Sequence, residues 1–296
     1  MRALAWFIGL ILLALAAMAA LTYPVWLWLA PRFGFPFHRV GDRIGLVTVV
    51  IGFVLIARRL KLADRNSLGF GARWPTFLRE LATGFAIGAP LMALIVAVMV
   101  VLNLRQWKSG VSIDAVTVVR LAGVGLVRGF AVALIEETLL RGAMYSGIAR
   151  ESGVRAAILV TALIYAATHF VAHTYIPASE VSWHSGLTML TGALQQFAHP
   201  LAIGDAYLSL FAVGVALAMV RALTGHIGAC IGLHASWVWV ITFVRETSIA
   251  NRASPLSFLL SQFDGVVGWL VLAWTVVLGL VLYRFYSRRG AIPHPA

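Results

Sequence analysis

The chain has 296 residues, of which 61% are hydrophobic and only 11% charged, and its formal net charge is +12. Soluble domains average about 25% charged residues, so a soluble globular protein is excluded; the apolar runs are long and unbroken rather than short and alternating, which excludes an outer-membrane barrel and requires helices to satisfy the backbone in lipid. The positive charge lies between the apolar runs, where it suits anionic lipid head groups rather than nucleic acid, and the single cysteine, Cys230, excludes an internal disulfide.

Residues 4–29 form a first apolar span. It begins like a secretory signal, and Ala17-Met18-Ala19 fits a cleavage site, but the hydrophobic run continues past it, so an uncleaved signal anchor is expected. Residues 31–43 read as a polar, aromatic-rich loop and 44–56 as the core of a second span. The most basic connection runs from Arg58 to near Arg79 and contains Ser67-Leu68-Gly69-Phe70. Residues 81–104 form a third span and 105–114 a loop. Residues 116–149 form a long helix, interrupted by Arg120 and Arg128, and 154–173 a fifth span. Residues 174–202 hold no Lys or Arg and read as a loop with a short amphipathic or re-entrant piece. Residues 206–220, 227–244 and 266–285 are the last three spans, followed by Arg288-Arg289.

The fold class is therefore all-α: a polytopic membrane protein of about eight transmembrane helices; the intramembrane active-site cavity also expected rests on the polar residues within the spans. It divides into N-terminal transmembrane helices (1–115), a core (116–246), and a C-terminal helix with a basic tail (247–296). With eight spans both termini share one side, and the excess of Lys and Arg in the tails and even-numbered loops puts that side in the cytoplasm.

Glu136-Glu137-Thr138-Leu139-Leu140-Arg141 stands out in an otherwise apolar run. An ionisable side chain at membrane depth costs about 2.5–3.5 kcal/mol on insertion scales, so such groups point to function. Glu137 and Arg141 are four apart, acid first, the favourable order for a pair on one helix face. Glu136 lies about 100° round the helix and is left to face something else. Three histidines complement it: His169, four residues after Tyr165, then His226 and His234 on one stripe. At about 1.5 Å per residue, counted from the nearest helix ends, Glu136, His169 and His234 fall within a few ångströms of one depth. Desolvation makes Glu136 a better base toward water, and an imidazole orients that water or donates to an oxyanion. Taken singly, His173, His184, His199 and His226 read as structural or interfacial, His38 and His294 as solvated, and Cys230 as a small packing residue.

In order, Glu136-Glu137-x-x-x-Arg141-Gly142, Tyr165-x-x-x-His169, and Thr224-Gly225-His226-Ile227 running into Ile231-Gly232-Leu233-His234-Ala235 resemble the CPBP family. These are the CAAX-protease and bacteriocin-processing intramembrane proteases, formerly called the Abi family, which include the type II CAAX prenyl endopeptidases. Phe211-x-x-Gly214 fits the same block, and the resemblance covers residues 121–240. Ser67-Leu68-Gly69-Phe70 resembles the element that often precedes the family's core. The resemblance implies that Glu136 activates water with His169 beside it and that His234 helps hold the oxyanion, supported by Glu137, Arg141 and Tyr165. Many members carry Asn or Asp four residues after the last histidine. This chain has Val238 there, which removes one oxyanion donor or moves the task to Ser236 or His226. Two cofactor readings stay open: none, or one Zn2+ held by Glu136, His169 and His234 with a fourth position left for water. The metal-free reading is preferred, because one glutamate cannot comfortably be both ligand and base.

The expectation is an intramembrane endopeptidase, multi-pass in a bacterial inner (cell) membrane, that hydrolyses a peptide bond of a membrane-associated protein or peptide by a glutamate-activated water. Its partners are a membrane-anchored peptide or protein substrate and membrane lipids, and no nucleic acid. The alternative is a non-catalytic scaffold or immunity-type protein that docks a partner on the same polar cluster. A proton-carrying transporter is a weaker third reading, since no internal repeat or pair of broken helices supports it.

Overall fold

The computed structural model describes residues 2–111, 113–171 and 175–289. Among them, seven helices are long and apolar enough to cross a membrane. Large apolar side chains such as Leu12, Ile51, Val127 and Leu280 stay exposed on them, as a lipid solvent demands rather than forbids. The protein is a multi-pass membrane protein of helices. It consists of two compact units, one of residues up to Ala63 with Ala167–Leu201, the other of Asp64–Ala166 with the residues from Ala202 onward.

In the first unit, α1 (Arg2–Phe33) and α2 (Phe37–Arg59) form an antiparallel hairpin. The pairing is legible in its glycines: Gly41 meets Thr22, Gly45 meets Met18 and Gly52 meets Leu10. The loop expected at 31–43 shrinks to three residues. Gly34 takes φ 62 and its N–H closes on the Ala30 carbonyl at 2.9 Å, a helix C-terminus that glycine makes without strain. Pro36 then fixes the backbone that opens α2. Trp26 Nε1 donates to the Phe35 carbonyl at 2.9 Å and ties the turn down. The expected short piece within 174–202 is α6 (Ser185–Gln195), which packs on α1 where Gly186 lies against the Ala19 backbone.

The second unit is built around α8 (Gly228–Thr247), flanked by α3 (Trp74–Val101) and α4 (Ala115–Glu137). α3 starts earlier than its charges suggest, because Pro75 is preorganised for a first helical turn. Close approach rests on small residues: a Cβ on Gly232 would strike the Leu81 backbone of α3, and one on Gly129 the Ala235 carbonyl, the small-residue interface of membrane helices. α5 (Tyr145–Thr168), α7 (Pro200–Thr224) and α9 (Trp269–Arg289) complete the unit.

Two three-residue strands were not legible in the sequence. β1 (Arg105–Trp107) pairs antiparallel with β2 (Ser248–Ala250), Arg105 opposite Ala250; three residues carry no readable alternation. Arg105 is buried here. Its Nε donates to Ser248 Oγ at 2.9 Å, and its two terminal nitrogens donate to the carbonyls of Gly265 at 2.6 Å and Ser248 at 2.9 Å. Burial lowers the Arg105 pKa from its ordinary value, and the acceptor ring keeps the charge tolerable. Arg105→Leu should therefore cost about 1–3 kcal/mol by stranding those acceptors, read as a lowered unfolding midpoint in detergent.

Candidate active site

Arg141 and Tyr165 are 24 residues apart, about 36 Å along a straight helix. Yet the Arg141 guanidinium carbon lies 4.6 Å from the Tyr165 ring centroid. The chain doubles back between them at Gly153, midway, whose φ of 83° and ψ of 166° only glycine adopts easily. The continuous helical run Ala115–Thr168 thus contains the span expected at 116–149 and residues 154–168 of the one expected at 154–173, as two arms of one hairpin.

Within the first arm, α4 passes into a π-helical turn, Thr138–Met144. Such turns carry one extra residue and loosen the ladder. Two neighbours hold it open. A Cβ on Gly142 would lie 2.6 Å from the Leu68 carbonyl oxygen, so only glycine lets the Ser67–Phe70 segment press there. Arg221 of α7, itself buried, donates through Nε to the Arg141 carbonyl at 3.0 Å and through a terminal nitrogen to the Asn66 carbonyl at 3.4 Å, and lies over the Tyr145 ring. The same segment accepts the Ser146 hydroxyl on the Ser67 carbonyl at 2.8 Å and the Ile227 N–H on the Gly69 carbonyl at 2.9 Å. It therefore ties the π-turn to the foot of α8. Arg221 was missed in the sequence, where it lies just past the span expected at 206–220; α7 runs on through it to Thr224. Arg221→Leu should lower the thermal midpoint, because the Arg141 carbonyl loses its donor at a cost of about 1–3 kcal/mol.

The polar cluster is compact. Arg141 and Glu137 are fully buried and paired at 3.1 Å, and a second Arg141 nitrogen donates to the Gly214 carbonyl at 3.3 Å. His234 Nδ1 lies 2.8 Å from the same Glu137 Oε1. That carboxylate sets Nδ1 as the donor and orients the ring. The opposite nitrogen, Nε2, lies 3.9 Å from Glu136 Oε2. Glu136 is the accessible acid, its side chain 33% exposed against 0% for Glu137. Tyr165 packs edge-on to the His234 ring at 6.0 Å. Among the described residues, Glu136 Oε2, Glu137 Oε2 and Arg141 Nε are buried with no hydrogen-bond partner. The structure thus gathers Glu136, Glu137, Arg141, Tyr165 and His234 in one place.

His226 and Ser236 stand elsewhere in the same unit. His226 lies in the turn before α8, eight residues or about 12 Å of helix from His234. Its Nδ1 accepts the Gly228 N–H at 3.2 Å; burial, then the Arg221 charge, push its pKa down to about 4, so it stays neutral. The Ser236 hydroxyl donates to the Leu233 carbonyl at 2.7 Å and abuts Gly88 of α3, two residues and about 200° round α8 from His234. Val238 follows His234 by one turn and offers no donor. His169 follows the end of α5 in the first unit and is half-buried. His38 packs against the Tyr175 ring at 5.8 Å rather than standing in solvent; His184 and His199 are exposed. His173 and His294 lie outside the described residues. Among the described residues no three His, Cys, Asp or Glu side chains converge as a metal set; within the second unit Glu136 and His234 give two donors where a catalytic zinc takes three.

Residues 115–240, 126 of the 296, match the family model described as type II CAAX prenyl endopeptidase Rce1-like. The matched stretch holds the whole cluster and both arms of the hairpin. No curated protein and no solved structure matches the chain.

Proposed function

Residues 115–240 being a domain of the CAAX protease (CPBP) family, we propose that the protein is an intramembrane endopeptidase in which Glu136 activates water against a peptide bond of a membrane-held substrate. The observation that carries this reading is the placement of His234 between two carboxylates with different surroundings. Glu137 is sealed and paired to Arg141, which leaves it to orient the imidazole. Glu136 is partly exposed as a side chain, and its buried Oε2 faces the other ring nitrogen. A gap of 3.9 Å accepts a water hydrogen-bonded to both Glu136 Oε2 and His234 Nε2 from the side.

In the proposed reaction Glu136 takes a proton from that water as its oxygen bonds to the scissile carbonyl carbon. The carbonyl oxygen becomes an oxyanion. With Glu136 and Glu137 ionised and Arg141 cationic, a proton on His234 makes the cluster neutral, and Nε2–H then donates toward the oxyanion. When the C–N bond breaks, Glu136 passes its proton to the leaving nitrogen. Val238 supplies no second donor, so this reading puts the whole oxyanion task on His234. No step passes through a metal ion. The role implied for His169 rests on its motif alone. A bacterial inner membrane is the proposed location, and lipid-anchored or amphipathic peptides are the proposed substrate class.

Val238 also favours a second reading, a non-catalytic scaffold or immunity-type protein that docks a partner on the cluster. The deciding assay incubates purified wild type, Glu136→Gln and His169→Ala with a library of membrane-anchored peptides, with and without a chelator. Cleavage by wild type alone supports the protease, and the chelator arm separates metal from metal-free chemistry. A partner that binds wild type and Glu136→Gln equally, with no cleavage by either, supports docking instead.

A further inference from the structure

A second site lies in the first unit, in the α1–α2 hairpin. A cleft of about 310 Å³ runs between the helices. Leu21, Val25 and Leu29 form one wall, spaced every four residues on α1. Val40, Ile44 and Val47 of α2 form the other, so the apolar trough extends about two turns, or about 12 Å. One end changes character. There Arg39 and Arg43, one turn apart on α2, line the same cleft. Arg43 lies over the Phe35 ring at 5.6 Å and donates to the Arg39 carbonyl at 3.1 Å, which holds its guanidinium at the mouth. Both arginines are exposed, and among the described residues neither forms an ion pair with a carboxylate. They project from the start of α2, which has no capping side chain and no acid in its first turn, so its dipole adds positive character at the same spot. Asp42 is half-buried and is not part of the cleft lining. Exposed Trp28 and Phe33 sit at this end of the hairpin, as aromatic side chains do at head-group level.

An apolar trough one acyl segment long, closed at the interface by two guanidinium groups with no carboxylate partner among the described residues, matches one class of molecule. We propose that the α1–α2 cleft is a binding site for an anionic phospholipid, its acyl chain along the trough and its phosphate between Arg39 and Arg43. Basic pockets between membrane helices bind acidic head groups in this way, and planar guanidinium groups suit phosphate oxygens. The site is independent of the proposed proteolysis and is tested without it.

The test is native mass spectrometry of the full-length protein released from detergent, equilibrated with either phosphatidylglycerol or phosphatidylcholine. Wild type is expected to retain phosphatidylglycerol about tenfold more than phosphatidylcholine. Arg39→Gln/Arg43→Gln should lose that preference. Arg58→Gln/Arg59→Gln, the same charge change at the far end of α2, should keep it. Val25→Phe should lower retention of both lipids by filling the trough. Circular dichroism of each variant confirms that the helices remain. Equal retention of the two lipids by wild type overturns the proposal, as does equal loss in the two arginine pairs, which would mark a general charge effect.

Discussion

Glu136→Gln should lower cleavage by about 10²–10⁴-fold, the range supplied by a positioned acid or base, while leaving the fold intact. The substitution keeps the shape and removes only the ability to take a proton. Glu136 contributes little to packing: its side chain is 33% exposed, and it faces His234 Nε2 at 3.9 Å. The expected readout is therefore a lost turnover with an unchanged unfolding midpoint and an unchanged affinity for the uncleaved peptide. A variant that retains wild-type turnover would remove Glu136 from the mechanism. One that loses turnover together with stability would recast Glu136 as a structural residue.

The largest stability effect is expected at the neighbouring pair. Glu137 and Arg141 are both sealed from solvent at 3.1 Å. Removing one member of a buried ion pair leaves the other charge uncompensated, at about 3–5 kcal/mol. Arg141→Met should have this effect and should also strip the cation from the Tyr165 face and the donor from the Gly214 carbonyl. The double variant Glu137→Gln/Arg141→Met should recover a large part of the loss, because two neutral side chains of similar size no longer strand a charge. Denaturant unfolding in detergent measures both. If the two single losses simply add in the double variant, the pair is not coupled and the buried-charge account fails. Activity should not return with stability in the double variant, since Glu137 also orients the His234 ring through Nδ1.

The two adjacent glutamates thus separate by environment rather than by identity. Helical spacing alone assigned Glu137 to Arg141, since four residues is a local relation, and the structure pairs them. It also left Glu136 on another face. Other local readings were as legible. Composition and unbroken apolar runs showed a helical membrane protein, and the ordered motifs between 121 and 240 pointed to the family whose model matches 115–240. Local charge misled in places. The polar stretch at 31–43 looked like a long loop, but Gly34 and Pro36 make the turn in three residues. The basic stretch ending near Arg79 hid the first turn of α3, whose Pro75 outweighs the charges around it.

What periodicity and composition determined, then, was the class, the spans and the Glu137–Arg141 pair, because each depends on neighbours within a turn or on the average character of a segment. The tertiary structure alone decided the rest. It set the reversal at Gly153 that returns Tyr165 to Arg141 and the π-turn kept open by Gly142 and Arg221. It placed His234 between Glu137 and Glu136 and Ser236 against α3, and it joined β1 to β2. Each of these relations joins residues from 24 to well over 100 positions apart, or follows from which face of a helix its neighbours cover, and neither is encoded in any local repeat.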